Sequence, residues 1–344
     1  MKTKLPEIKP IKDAELLIAL QAKIDNKTKP IGSLGRLEEL AIRIGQIQDT
    51  LEPKLVDPQL LVYAGDHGIV SRGVSAFPSD VTWQMVENFL ADGAAVSVLA
   101  RQHQIHMTVI DCGVNHDFDP RDRLLIRKVA KGTADSSSQA AMTYAQVMQC
   151  IENGMKLISD LPGNVLILGE MGIGNTSAAS LLFSKLEKVD ITLCTGAGTG
   201  LNAEAIKRKT QVLCGALEHH HRVKDPTNIL AALGGFEIAT MVGSIIQAAA
   251  DKKVILVDGF IVSSAVLVAS KLDQAVLDYC IFTHQSGEKG HALMLDKLKA
   301  VPLIDLGLRL GEGSGAMIAW PLIQSACLIL NEMASFESAG VSRK

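Results

Sequence analysis

Short apolar runs recur through the middle of this chain between longer helical patterns: Leu60–Tyr63, Met107–Ile110, Val165–Leu168, Ile191–Cys194, Val254–Val257 and Cys280–Phe282. Apolar runs without polar alternation suit strands covered on both faces, as in a parallel sheet sandwiched between helices. Directly after these runs stand Gly65-Asp66-His67, Asp111, Gly169-Glu170, Thr195-Gly196, Asp258-Gly259 and Thr283-His284. Glycine and polar groups therefore gather where each strand ends. Open α/β sheets bind ligands outside the carboxyl edge of their strands, near the point where strand order reverses. The expectation is an α/β fold with its site on that edge.

The two ends read differently. Ala14–Ile24, Leu37–Ile47 and the tail Gly315–Met333 carry apolar residues at helical spacing. They predict a small helical domain assembled from residues 1–50 and 311–344, the latter opening with a catalytic loop, beside an α/β substrate-binding domain over 55–310. Between the first two helices lies Lys29-Pro30-Ile31-Gly32-Ser33-Leu34-Gly35-Arg36, a turn that places the cap of the second helix at or near Ser33. A chain of 344 residues has room for one large core and a smaller partner.

Composition excludes several classes. A formal net charge of -3 without a dense Lys/Arg block argues against a nucleic-acid partner. The opening Met1-Lys2-Thr3-Lys4-Leu5-Pro6-Glu7 lacks the apolar core of a secretory signal. Ile229–Ala250 is interrupted by Glu237 and glycines, and Ala316–Leu330 is short and holds Pro321, Gln324 and Ser325, so both predict buried helices and no membrane partner. Cys112, Cys150, Cys194, Cys214, Cys280 and Cys327 have no paired spacing; they read as reduced thiols of a cytoplasmic protein, three of them, Cys112, Cys194 and Cys280, in or just beyond the strand-like runs. No zinc-type spacing occurs, so no metal is expected.

The run Leu310-Gly311-Glu312-Gly313-Ser314-Gly315-Ala316 sets one carboxylate between glycines at the mouth of an apolar helix. Such an acid can act as a proton acceptor, because the glycines allow close approach to a ligand and apolar neighbours raise its pKa toward working pH. The alternative is a tight turn whose Glu312 faces water. Gly169-Glu170-Met171-Gly172-Ile173-Gly174-Asn175-Thr176-Ser177 leads from a strand into a helix and reads as a phosphate cradle. It matches neither the nucleoside-triphosphate P-loop nor the dinucleotide fingerprint. Thr195-Gly196-Ala197-Gly198-Thr199-Gly200 repeats the strand-to-glycine pattern, and Lys207, Arg208 or Lys209 on the next helix can reach the same phosphate. Glycines needed only for tight turns remain the competing explanation of each run.

Other polar clusters carry weaker signals. Asp66 and His67 are adjacent, so their side chains diverge, and a loop-shaping or substrate-lining role fits better than a metal pair. His219-His220-His221 reads as a solvated helix face. Thr283-His284-Gln285-Ser286-Gly287-Glu288 sits at a strand end and can touch ligand, with helix capping by Ser286 as the alternative. There is no nucleophile elbow and no Ser/His/Asp set.

Taken together, GDHGIVSRGVSAFPSDVTWQMV from Gly65, GEMGIGNTS from Gly169, GAGTG from Gly196, VDGFIVSSA from Val257, THQSGEKGH from Thr283 and PLIDLGLRLGEGSGA from Pro302 resemble one family, in order, from about Lys29 to Leu328. It is the nicotinate-nucleotide:dimethylbenzimidazole phosphoribosyltransferase family of the cobalamin lower-ligand pathway. The resemblance implies a pentosyltransferase with a Rossmann-like parallel sheet flanked by helices, the small helical domain, no cofactor, and a homodimer acting on small molecules. It implies that the benzimidazole nitrogen displaces nicotinate from C1′ of nicotinate mononucleotide with inversion, giving α-ribazole 5′-phosphate. Carried over residue by residue, Glu312 is the general base. Ser75, Phe77, Gln84, Met171 and Leu310 line the base pocket, and Gly311 is a further substrate-binding position. Glu170, Gly172, Ile173, Gly174, Asn175, Gly198 and Lys209 hold ribose and phosphate, and Asp258 holds a loop or meets nicotinate. Ser314 and Ala197 depart from the family's commoner threonine and larger residue.

Two rivals share parts of this pattern. A non-catalytic carrier of a mononucleotide or aromatic base needs the same cradle and slot, but not a proton acceptor at Glu312. A phosphoribosyltransferase for a different base, or one using the pyrophosphate donor, differs in its acids: the latter resembles a strand ending in paired carboxylates, and Val257-Asp258-Gly259 supplies one.

Overall fold

The computed structural model describes residues 4–198 and 200–342. Its sheet has six strands: β1 Gln59–Gly65, β2 His106–Gly113, β3 Leu124–Ile126, β4 Val165–Met171, β5 Val254–Val257 and β6 Cys280–Phe282. All neighbours pair in parallel, in the order β3-β2-β1-β4-β5-β6. This is the order of the doubly wound fold, with its switch point between β1 and β4. Every residue of β1, β5 and β6 is buried, which is why these strands read as unbroken apolar runs.

Five of the six expected strands form. Ile191–Cys194 is instead a single helical turn, because Asp190 caps it by accepting from the Thr192 N–H and because Leu193 is half exposed. A strand there would have buried both faces. β3 was not foreseen: it is three residues long, sits at the sheet edge, and exposes Leu125 and Ile126. The apolar stretch expected as one helix over Ile229–Ala250 is two, Pro226–Leu233 and Phe236–Ala250, parted at Gly234-Gly235.

Helices from both ends lie together. Ala14–Asp25 and Ser314–Glu332 each pack on Arg36–Ile47, and Leu20, Ile44 and Ile323 share one continuous apolar core with the sheet residues Val62 and Leu168. Lys27 Nζ donates to the Met333 carbonyl at 2.6 Å and Thr28 N–H to that of Ala334 at 3.0 Å, tying the ends to each other. Arg36–Ile47 is capped by Gly35 and not by Ser33. The Glu38 carboxylate instead fixes the turn that leads into the helix, accepting from Leu34 N–H at 2.9 Å while pairing with Lys29 at 2.8 Å.

Ser314–Glu332 is the one described helix long and apolar enough to cross a membrane, yet it contains Pro321 and buries Ala316, Met317, Ile323 and Leu330 in the core. None of the six cysteines is paired; all but Cys214 are buried.

Candidate functional site

β4 runs into Glu170 and Met171, and the chain then turns through Gly172-Ile173-Gly174 into the helix Asn175–Glu187, which opens at Gly174 with φ +97°. The second glycine run follows the helical turn rather than a strand, but it arrives at the same place. Lys209, on the helix Ala203–His219 and 1% exposed, donates from Nζ to Thr176 Oγ1 at 2.9 Å. A Cβ on Gly198 would lie 3.4 Å from the same Nζ, so loop, helix start and cation converge. Burial lowers the Lys209 pKa to about 8, with the Glu288 charge opposing the fall. The ammonium therefore stays charged near neutral pH, at a helix N-terminus suited to an anion.

These elements wall a cavity of about 270 Å³ at the carboxyl edge of β4 and β5. Of the expected site residues, Phe77, Met171, Leu310 and Gly311 form its apolar rim and wall, while Glu170, Gly172, Ile173, Asn175, Gly198 and Asp258 face it from the sheet and glycine loops. His284, Ser286 and Glu288 line it too, from the strand-end cluster. Ser286 Oγ accepts from Glu288 N–H at 3.3 Å within that turn, whereas the next helix, His291–Leu298, is capped by Gly290.

Five expected residues are not on the wall. Ser75 accepts from Phe77 N–H at 3.2 Å and shapes the loop that presents Phe77. Gln84 is exposed on the helix Asp80–Leu90, which is tied to the cradle by Ile173 N–H donating to Thr82 Oγ1 at 3.1 Å. Gly174 packs inward against Val70 and His67, and Lys209 stands behind Thr176 and Gly198. Glu312 lies beneath the wall, next to Gly311. Thr176, Phe260 and Arg309 line the cavity too; each stands inside one of the motifs, but the sequence assigned none of them a role of its own. Arg309 Nη1 donates to the Gly198 carbonyl at 3.2 Å, and its place next to Leu310 in the motif was the available signal.

Glu312 is 5% exposed, so the water-facing turn is excluded. Gly311, Glu312 and Gly313 all have positive φ, at +82°, +65° and +93°. For the non-glycine residue that conformation is strained, and such strain persists only where surroundings enforce it. Here they do: a Cβ on Gly169 would meet the Glu312 carbonyl oxygen at 2.2 Å, so β4 presses directly on the turn. The Glu312 carboxylate accepts from the Val96 N–H, and its Oε2 has no hydrogen-bond partner among the described residues. Burial raises its pKa to about 7; the Val96 N–H pulls the other way and the Asp258 charge adds to the rise.

Glu170 is the second buried acid. It accepts from Asn175 Nδ2 and from the backbone N–H of Glu312. Burial, then the charges of Asp258, Glu237 and Glu312, push its pKa up to about 8. Asp258, at the end of β5, takes the loop-holding role: its carboxylate accepts from Gly313 N–H at 3.3 Å and Ala316 N–H at 3.1 Å, capping Ser314–Glu332 from a distant strand. His284 Nε2 stands 3.3 Å from Asp258 Oδ1.

Two sequence expectations change outside the cavity. His220 is not on a solvated face; it is 7% exposed, and Nε2 meets the Ser136 and Gln139 carbonyls at 2.9 and 3.2 Å. Asp66 and His67 do shape a loop, but turned inward, with His67 Nε2 2.7 Å from Glu237 Oε1. Among the described residues no group of His, Cys, Asp and Glu is arranged to hold a metal ion.

A family model described as phosphoribosyltransferase matches residues 9–341. The chain is 58% identical over 340 residues to the nicotinate-nucleotide--dimethylbenzimidazole phosphoribosyltransferase of Variovorax paradoxus (strain S110), covering 99% of this chain and 97% of that protein. It is 55% identical to the enzyme of the same name from Dechloromonas aromatica (strain RCB), over 97% and 98% of the two chains. The crystal structure of the like-named enzyme from Thermus thermophilus superposes with a TM-score of 0.92 at 36% identity, over 97% of this chain and 100% of that one.

Proposed function

Because the chain belongs to the nicotinate-nucleotide–dimethylbenzimidazole phosphoribosyltransferase family, we propose that the cavity beside Glu312 is where nicotinate mononucleotide and 5,6-dimethylbenzimidazole react. The chain is a phosphoribosyltransferase: it transfers phosphoribose to the benzimidazole and releases nicotinate. The observation that carries the assignment of the site is Glu312, a buried carboxylate with a pKa of about 7 and one oxygen without a partner among the described residues.

The proposed chemistry is built from these groups. One benzimidazole nitrogen attacks C1′ from the face opposite nicotinate while its ring N–H proton passes to Glu312. The C1′–N bond to the pyridinium breaks, its electron pair stays on the nicotinate ring nitrogen, and C1′ inverts to give α-ribazole 5′-phosphate. A cationic pyridinium leaves without protonation, so no second acid is needed. A base whose pKa lies near working pH is the efficient kind, and general-base catalysis of this type contributes ~10² to 10⁴ in rate. Positioning lowers the rest of the barrier. Lys209, Gly198, Asn175 and the Asn175–Glu187 N-terminus suit the phosphate, with Gly172, Ile173 and Gly174 shaping that loop. Glu170 suits the ribose. Phe77, Met171 and Leu310 offer apolar walls for a flat base, and Ser75 shapes the loop that presents Phe77.

Asp258 is engaged in capping Ser314–Glu332, which weighs against an enzyme of the pyrophosphate-donor kind, where strand-end acids hold the sugar. A homodimer, a cytoplasmic location and a small helical domain from both termini are parts of the same proposal, taken from the family resemblance; light scattering tests the first. The function itself is tested by incubating purified protein with both substrates and following nicotinate by chromatography. Base-dependent release, matched by a new nucleotide, is expected; binding of both ligands without release would make the protein a carrier.

A further inference from the structure

We infer that the buried His67–Glu237 pair is a positioning device for the nucleotide-binding loop, wedging the start of the helix Asn175–Glu187 against the turn that follows β1. The inference rests on the reading of that loop as the nucleotide cradle. His67 and Glu237 side chains are 2% and 0% exposed, and neither residue lines the cavity. Direct contact with substrate therefore does not account for an ion pair held in the interior, where desolvation is costly.

Their surroundings do account for it. His67 caps the short helix Gly68–Arg72 at the end of β1, and Glu237 lies in the first turn of Phe236–Ala250, where the helix dipole favours its charge. Gly174, the cap of Asn175–Glu187, rests on the other side of the histidine: a Cβ there would lie 3.0 Å from His67 Cβ and 2.6 Å from Val70 Cγ2. Gly235 closes a third side, where a Cβ would meet His67 Cε1 at 2.4 Å. The imidazole thus fills a slot between two helix starts that leave no room for a side chain of their own, and Glu237 fixes its orientation. Asn175 and Thr176, the first residues beyond Gly174, are on the cavity wall. Burial pulls the His67 pKa down, but the Glu237 charge and hydrogen bond, with Asp66, outweigh it and raise the pKa. The ring is held as a partner of Glu237 and is not free to turn.

The test is steady-state kinetics on wild type, His67→Ala, His67→Gln and Glu237→Gln, varying nicotinate mononucleotide and dimethylbenzimidazole separately. His67→Ala is expected to raise KM for the nucleotide about tenfold or more while KM for the base stays within about twofold, because the loop moves and the base pocket does not. His67→Gln can still donate to Glu237, and is expected to recover most of the loss. An unchanged nucleotide KM in folded His67→Ala, equal rises in both KM values, or a Gln variant no better than Ala would each overturn the positioning role. Should His67→Ala fail to fold, Glu237→Gln decides: a rise confined to the nucleotide KM supports the role, and two unchanged KM values remove it. Wild-type protein that releases no nicotinate would overturn the cradle reading itself, a result separate from any variant's behaviour.

Discussion

The backbone N–H of Glu312 donates to the carboxylate of Glu170, so the two buried acids beside the cavity are joined through the main chain of one and the side chain of the other. Gly169, the residue before Glu170, presses on the Glu312 carbonyl, so the same two strand residues fix both sides of the strained turn. The Glu312 charge also adds to the rise of the Glu170 pKa.

Glu312→Gln is expected to fold and still bind nicotinate mononucleotide while kcat falls by ~10² to 10⁴, the usual contribution of a general base. Calorimetric binding beside a turnover assay measures both. Turnover like that of wild type would move the base elsewhere, with Glu170 the first candidate.

The pH profile is set by the same carboxylate. Its proton-accepting form dominates only above about 7, so kcat/KM should rise through that pH and fall off on the acid side. A profile flat from pH 5 to 8, measured at substrate concentrations well below KM, would contradict a base at Glu312.

Stability should move in the opposite sense. Both acids have folded pKa values, about 7 and about 8, above the 4.5 of glutamate in an unfolded chain, so the native state binds more protons than the unfolded chain across that window. Their contribution is complete below pH 4.5 and is lost as pH rises through 7 and 8. Wild-type Tm should therefore decline from pH 5 to 8 more steeply than that of Glu170→Gln, which thermal melts at both ends of the range will compare. Parallel declines in the two proteins would show that Glu170 does not carry the effect.

Gly169→Ala places a methyl group 2.2 Å from the Glu312 carbonyl oxygen. Overpacking against backbone costs about 1 to 3 kcal/mol, and relief can come only by moving the Glu312 turn. Lower Tm together with at least about a tenfold drop in kcat is the expected pair of results. A variant with reduced Tm and intact kcat would show that the turn tolerates displacement.

Lys209→Met exchanges a buried cation for an apolar chain of similar length. A charge-assisted hydrogen bond is worth about 1.5 to 3 kcal/mol, so KM for the nucleotide should rise by roughly 10- to 150-fold, with little change in KM for the base. Tm should hold or increase, since the desolvated ammonium is gone. Kinetics with each substrate varied in turn would expose an error if the base KM rose instead.

Much of the architecture was legible because burial on both faces writes itself into a strand as an unbroken apolar run. β1, β2, β4, β5 and β6 were read that way, and the terminal helices from their spacing. Ile191–Cys194 misled for the same reason: four residues, only two of them buried, are too few to separate a strand from a helical turn, and the deciding contact was the Asp190 cap. β3 was missed because an edge strand with two exposed residues has no apolar run to read.

The site divides along the same line. Motif order and spacing brought Glu312, Glu170, Gly198 and Lys209 to attention, and the cavity, or the layer directly behind its wall, holds them. Asp258 as the cap of a helix more than fifty residues away, and Val96 as the donor to Glu312, were not readable, because neither contact has a local pattern. By itself the sequence determined the five long-run strands β1, β2, β4, β5 and β6, the terminal helices and the family, all of which rest on local periodicity and motif. Tertiary structure alone decided how Glu312 titrates and what holds it, since a carboxylate's pKa is set by burial and by charges and dipoles that folding brings from residues 96 and 258.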